Sequence, residues 1–319
     1  MKDVKTLYSK LGSFGAGSGK SCKSTPSRKT KGFGYQILGF GSGGGGPAYV
    51  EATGGNSTFT VGDYKIHVFT GDGNLCVTSQ GSSAGNKKVD YLVVAGGGAG
   101  GPATGGGGGG GGYRESQDPA TTPLWTASPI ATCASLEDIG VGTLPVTVGA
   151  GGTGFTPSPS VSTRGAGGGS GYGASGFGLG NTPPVSPSQG NPGGVGGPHA
   201  GGGGGGAGAA GGSPQTTGGA GTSSTIAPSS FGVPACSTFF YSGGGGGGTD
   251  QPATPGGPGG KGGGGRGGDR HPGGSGPKQG VAGTANSGGA GGGVGLPAPG
   301  ASGNAGGSGI VVIRYKFQN

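Results

Sequence analysis

Ile310-Val311-Val312-Ile313-Arg314-Tyr315-Lys316-Phe317 is the stretch on which the fold turns. Its β-branched and aromatic residues alternate, placing Val311, Ile313, Tyr315 and Phe317 on one face, which predicts a strand. A strand this apolar needs partners, and the glycine-rich sequence before it offers none. The best partner is Val89–Ala95 (VDYLVVA), a nearly continuous apolar run of the kind expected for a central strand covered on both faces. Pairing the two brings both ends of residues 96–308 onto one small β-domain, so the region between becomes a giant insertion.

Further strands are expected around this pair. In Asp63–Phe69, Tyr64, Ile66 and Val68 face one way and Lys65, His67 and Phe69 the other. A hairpin is predicted between Ser57–Val61 and Asp63–Phe69 with Gly62 at the turn. A second is predicted from Asp63–Phe69 to Leu75–Ser79 through Gly71-Asp72-Gly73. Leu144–Val148 begins beside Pro145 and belongs at a sheet edge. The expected architecture is all-β, a small β-sandwich-like domain with a large inserted polyglycine-II helix bundle and no substantial α-helix. Its parts are an N-terminal arm and attachment segment (1–47), a framing β-domain (48–95 plus 309–319) and the glycine-rich region (96–308).

Composition explains why the insertion cannot be an ordinary domain. The chain of 319 residues holds 97 Gly and 24 Pro, while hydrophobic residues are 28% and charged residues 9%. So little apolar surface cannot enclose the whole chain in one conventional core. Disorder normally accompanies high net charge, and here charge is scarce. Collagen is excluded, because Gly does not keep a fixed phase of three through the runs. A flexible linker and an ordered lattice remain. In the lattice, left-handed threefold helices rise ~3.1 Å per residue with no internal hydrogen bonds, so a run such as Gly105–Gly112 spans roughly 25 Å. Their outward N–H and C=O groups must bond to neighbours.

The segments between runs favour the lattice. A linker would be polar and featureless, whereas these loops carry Tyr113, Arg114, Leu124, Trp125, Ile130, Phe231, Val233, Phe239, Phe240 and Tyr241. Loops joining antiparallel rods collect at the ends of a bundle, where aromatic side chains suit a receptor- or glycan-contacting surface. Tyr113, Arg114, Trp125, Phe231, Phe239, Phe240 and Tyr241 are the candidate contact residues. The competing assignment is that they cap the lattice and keep water out.

The basic character of the chain is local. Residues 1–32 carry +7 of the net +8. Lys20, Lys23, Arg28, Lys29 and Lys31, with Phe33, Tyr35 and Ile37 of the following apolar patch, are the candidate attachment residues; a solvated tail is the alternative. Met1–Lys10 lacks the apolar core of a secretion signal, and no apolar run approaches the ~18 residues of a membrane span. Cys22, Cys76, Cys133 and Cys236 show no metal-ligand spacing. They are expected as thiols, although Cys133 and Cys236 both lie in inserted loops where they could meet.

The strand motifs together carry a resemblance. Tyr64-Lys-Ile-His-Val-Phe69, Val89-Asp-Tyr-Leu-Val-Val-Ala95 with its following glycines, Leu144-Pro-Val-Thr-Val148 and Ile310-Val-Val-Ile-Arg-Tyr315 resemble the glycine-rich domain of phage tail-fibre and other virion proteins. Such domains are frequent in phages of marine bacteria and cyanobacteria. The tip adhesins of T-even-like phages are a looser parallel, similar in packing polyglycine helices with receptor-contacting loops at one end. The resemblance implies a virion component made in the host cytoplasm. It implies contacts with other virion proteins through residues 1–47, and with a host glycan or outer-membrane protein through the loops. A capsid decoration or connector is the alternative, and a non-viral matrix or ice-binding protein a more distant one.

Catalytic chemistry is not expected. Gly15–Ser21 imitates a phosphate loop, but Phe14 stands where the first glycine is required. His67, His199 and His271 are scattered, and no acid pair stands out. No cofactor, metal or nucleic acid is expected.

Overall fold

The computed structural model describes residues 48–83, 86–117, 125–133, 136–137, 139–153, 178–212, 216–228, 231–252, 254–270, 279–296 and 302–318. The basic arm with all eight candidate attachment residues, Cys22, Leu124 and His271 lie outside the described residues. The described residues form three open sheets and no helix.

In chain order the strands are β1 (Val50–Gly54), β2 (Ser57–Val61), β3 (Tyr64–Phe69), β4 (Gly73–Gln80), β5 (Lys88–Val94), β6 (Tyr113–Glu115), β7 (Leu136–Glu137) and β8 (Gly142–Val146). They are followed by β9 (Thr222–Ser223), β10 (Val233–Ala235), β11 (Thr238–Tyr241) and β12 (Ile310–Lys316). The largest sheet runs β2-β3-β12-β5-β6, with β7 also on β5; a second runs β1-β4-β8 and a third β10-β11-β9.

Strand β12 lies at the centre of the largest sheet, antiparallel to both β5, with Ile310 opposite Val94 and Tyr315 opposite Val89, and β3. Its alternation feeds two apolar clusters. Val311 and Tyr315 join Phe69, Leu75, Val77 and Val146, residues of both the first and second sheets. Ile310 and Val312 join Ile66, Leu92, Tyr113, Trp125, Ile226 and Tyr241, which come from the sheet and from the glycine-rich region. The insertion is therefore seated on the sheet by ordinary apolar burial, at roughly 1.5–3 kcal/mol per large side chain.

The β2–β3 hairpin forms as expected, with Gly62 at φ +56°. The second expected hairpin does not. Strand β4 pairs with β1 and β8 in the other sheet. The edge of β3 that it would have used is taken by β12. Asn56 Oδ1 accepts from the amides of Thr70 and Gly71, holding the turn that steers the chain away. Strand β8 starts two residues earlier than expected, and it does lie at an edge, with Pro145 opposite Asn74.

The glycine runs are bonded to one another main chain to main chain, and Gly105–Gly112 shows the pattern. The amides of Gly105, Gly108 and Gly111 donate to the carbonyls of Val294, Gly291 and Gly288, an antiparallel neighbour. Those of Gly107 and Gly110 donate to Gly202 and Gly205, a parallel neighbour. The carbonyls of Gly106, Gly109 and Gly112 accept from Gly101, Gly98 and Ala95 on a third side. Those of Gly105 and Gly108 accept from Gly248 and Gly245 on a fourth. Each direction recurs every third residue, so one run of backbone serves four others.

Close approach is what demands glycine here. A Cβ on Gly107, Gly204, Gly247 or Gly293 would lie under 3.0 Å from a neighbouring run's carbonyl. At the periphery the demand relaxes. Gly303, Gly306 and Gly309, three apart, face Gly100, Gly97 and Val94 in this way, while Asn304, Ala305 and Ser308 between them carry side chains.

Candidate binding surface

The two loop segments singled out in the sequence meet in space. Thr225 N–H donates to the Thr126 carbonyl at 3.0 Å and Thr126 N–H to Thr225 Oγ1 at 2.7 Å, across 99 residues of sequence. The hydroxyls of Ser128 and Thr222 lie 2.6 Å apart. Between them sits Glu115, on β6. It accepts from the Tyr113 hydroxyl at 2.7 Å, from Ser128 N–H at 2.8 Å and from the Ser224 hydroxyl. Burial pushes its carboxyl above the usual range, and these donors work in the opposite direction. One buried carboxyl thus fastens β6 to both loops.

The aromatic candidates divide. Tyr113, Trp125 and Tyr241 are 1%, 5% and 0% exposed, so none presents a ring to a partner. Burial raises the pKa of both tyrosines. Trp125 stands over the Arg314 guanidinium, its ring centroid 4.4 Å from Cζ, and Tyr64 lies 4.7 Å from the same carbon. Burial lowers the Arg314 pKa to about 10. These three lie in one buried apolar cluster with Ile66, Leu92, Ile310 and Val312 of the largest sheet.

Phe231, Phe239 and Phe240 remain half-buried. Phe231 meets Phe59 of β2 edge-on, with ring centroids 5.8 Å apart. Phe239 packs on the same apolar cluster. Lys261 Nζ lies 5.6 Å over the Phe240 ring and 3.7 Å from Cys236 Sγ. Cys236 and Ser237 form the turn between β10 and β11, and both hold positive φ, 52° and 62°, where Asn or Gly would be easier. Arg114 is also half-buried, and its Nη1 donates to the Ser186 carbonyl at 3.3 Å. Cys133 and Cys236 do not meet, and both are exposed thiols.

Glu115, Ser128, Thr222, Ser224 and Phe59 were not singled out in the sequence. Only the alternation of Tyr113 and Glu115 around Arg114 hinted that the acid points inward. Among the described residues, no group of His, Cys, Asp and Glu is placed to hold a metal ion, and no helix is long and apolar enough to cross a membrane.

The family model of the glycine-rich domain matches residues 78–316, from within β4 to the end of β12. The chain belongs to the glycine-rich domain family. The match takes in both partners of the β5–β12 pair and the whole inserted region, the parts that define this glycine-rich domain structurally. No curated protein and no solved structure matched the chain.

Proposed function

We propose that this glycine-rich domain is a structural and binding component of a phage particle, a tail-fibre or tail-tip element that touches the host surface through its loops. One observation carries the reading: Gly105–Gly112 is bonded on four sides by other runs at a period of three. A threefold helix without side chains has that period, so the insertion is read as a polyglycine-II bundle. The two clusters of the framing strands are read as the filling of a small β-sandwich-like domain. A rod lattice of this kind is stiff at low apolar content, as a part that must project from a particle requires. The strand motifs that resemble virion glycine-rich domains support the viral assignment. Residues 1–47 dock the domain onto other virion proteins, and the role requires no catalysis or cofactor.

The contact surface is the half-buried set Phe231, Phe239, Phe240 and Arg114, facing a host glycan or outer-membrane protein. A second reading, a capsid decoration or connector, is favoured by the burial of Tyr113, Trp125 and Tyr241, which spends the largest loop side chains on packing. Copy number in purified particles separates the two: few copies for a fibre tip, many for a decoration. Absence of the chain from particles would remove both.

A further inference from the structure

Sheet edges present unpaired N–H and C=O groups, and proteins normally protect them. Among the described strands, most edges are protected. In the second sheet, β1 carries a bulge at Glu51/Ala52 and β8 carries Pro145. In the third, β10 holds Pro234 and β9 has two residues. In the largest sheet, β6 is three residues long, and its Tyr113 N–H donates to Gln189 while its Glu115 carbonyl accepts from Thr132. Strand β2 differs. Ser57-Thr58-Phe59-Thr60-Val61 is five residues of good strand formers with no charge and no proline, and Thr58, Thr60 and Val61 are exposed.

The register fixes which groups this edge offers. The Gly62-Asp63 turn makes Val61 and Tyr64 the closing bonded pair, and Phe59 opposite Ile66 the next. Thr58 and Thr60, opposite His67 and Lys65, therefore turn their N–H and C=O groups away from β3. We propose that β2 pairs antiparallel with β2 of a second copy of this chain, about a two-fold axis at Phe59. The edge is self-complementary under that operation. Thr58 faces Thr60 of the partner and Thr60 faces Thr58, so every outward donor meets an acceptor. Phe59 meets its own copy at the close non-bonded position, beside Phe231. The edge carries no charge, so a copy related by two-fold symmetry meets no like charge, and a charged strand would find no counterpart.

The test is sedimentation of the full chain over a wide concentration range, independent of any particle. The wild type is expected to dimerise reversibly. Thr58→Lys with Thr60→Lys puts like charges opposite each other and should give a monomer with an unchanged unfolding midpoint. Thr58→Glu with Thr60→Lys places an acid opposite each lysine and should restore the dimer. A monomeric wild type, a lysine pair that dimerises as the wild type does, or an acid–base variant no tighter than the lysine pair would each overturn the proposal. Should the variants unfold, exchange at the Thr58 and Thr60 amides of the wild type decides. Protection that appears only at high concentration supports the pairing, and equal exchange at all concentrations defeats it.

Discussion

The hydroxyl of Tyr315 lies 2.9 Å from His67 Nε2, joining β12 to β3 across 248 residues of sequence. His67 Nδ1 is 2.7 Å from the Gly54 carbonyl, which can only accept, so Nδ1 carries the proton. Neutral Nε2 then accepts from Tyr315, whose oxygen accepts in turn from Ala52 N–H at 3.0 Å. Strands of two sheets are tied through one hydroxyl. Replacing Tyr315 by Phe leaves a buried ring nitrogen and a buried amide unpaired. The expected cost is roughly 1–3 kcal/mol in denaturant unfolding.

The same imidazole sets a pH dependence. Burial, assisted by Lys65, lowers its pKa below the usual 6.5, against the effect of the Gly54 carbonyl. The unfolded chain therefore takes up a proton as pH falls through 6.5 while the folded chain does not. Stability from this site is full above that value and declines as pH drops toward the lower folded pKa. Denaturant midpoints measured on both sides of 6.5 should show the decline, and His67→Gln should flatten it.

Glu115 acts with the opposite sign. Its folded pKa is raised above 4.5 by burial, so the folded chain holds its proton at pH values where the unfolded chain has lost it. The site's contribution is greatest below 4.5 and is lost as pH rises through the folded pKa. Glu115→Ala strands the Ser128 amide and two hydroxyls and should destabilise by about 1–3 kcal/mol per unpaired group. Thr126 and Thr225 amide exchange should speed up in this variant, because Glu115 holds their loops together.

Strand alternation made the framing sheet legible: Ile310–Phe317 and Val89–Ala95 are too apolar to stand alone, and they do pair, although β3 on the other side of β12 was not foreseen as its second partner. The second hairpin was misread because the turn at residues 71–73 looks the same whether the next strand folds back or leaves the sheet. The choice lay with β12, more than 200 residues away. Glycine runs announced themselves, yet which run bonds to which is invisible in a sequence without side chains. The loops showed a related limit. Aromatic content marked both of them, but whether Trp125 faces solvent or Arg314 depends on a strand remote in sequence.

Glycines at which two runs touch should be intolerant in a way peripheral ones are not. A Cβ on Gly204 meets the Gly108 carbonyl, and neither backbone can yield without breaking its own bonds. Gly204→Ala is expected to cost at least ~1–3 kcal/mol. Gly71→Ala, where a Cβ meets nothing within 4 Å, should stay within ~0.5 kcal/mol. Thermal unfolding of the two variants measures the difference, and equal effects would mean the runs do not touch.

Burial separates the loop aromatics into those that hold the fold and those that could touch a partner. Trp125 is buried against Arg314, so Trp125→Ala should lower stability by about 3–5 kcal/mol and affect adsorption only through that loss. Phe240 is half-buried, on a hairpin whose turn is exposed at Cys236, with Lys261 above its ring. On the tail-tip proposal, Phe240→Ala should leave the unfolding midpoint nearly unchanged while reducing attachment of particles to host cells. Measuring both quantities for both variants distinguishes a contact residue from a packing one. Full adsorption by particles carrying Phe240→Ala together with Phe231→Ala would leave the decoration or connector reading in its place.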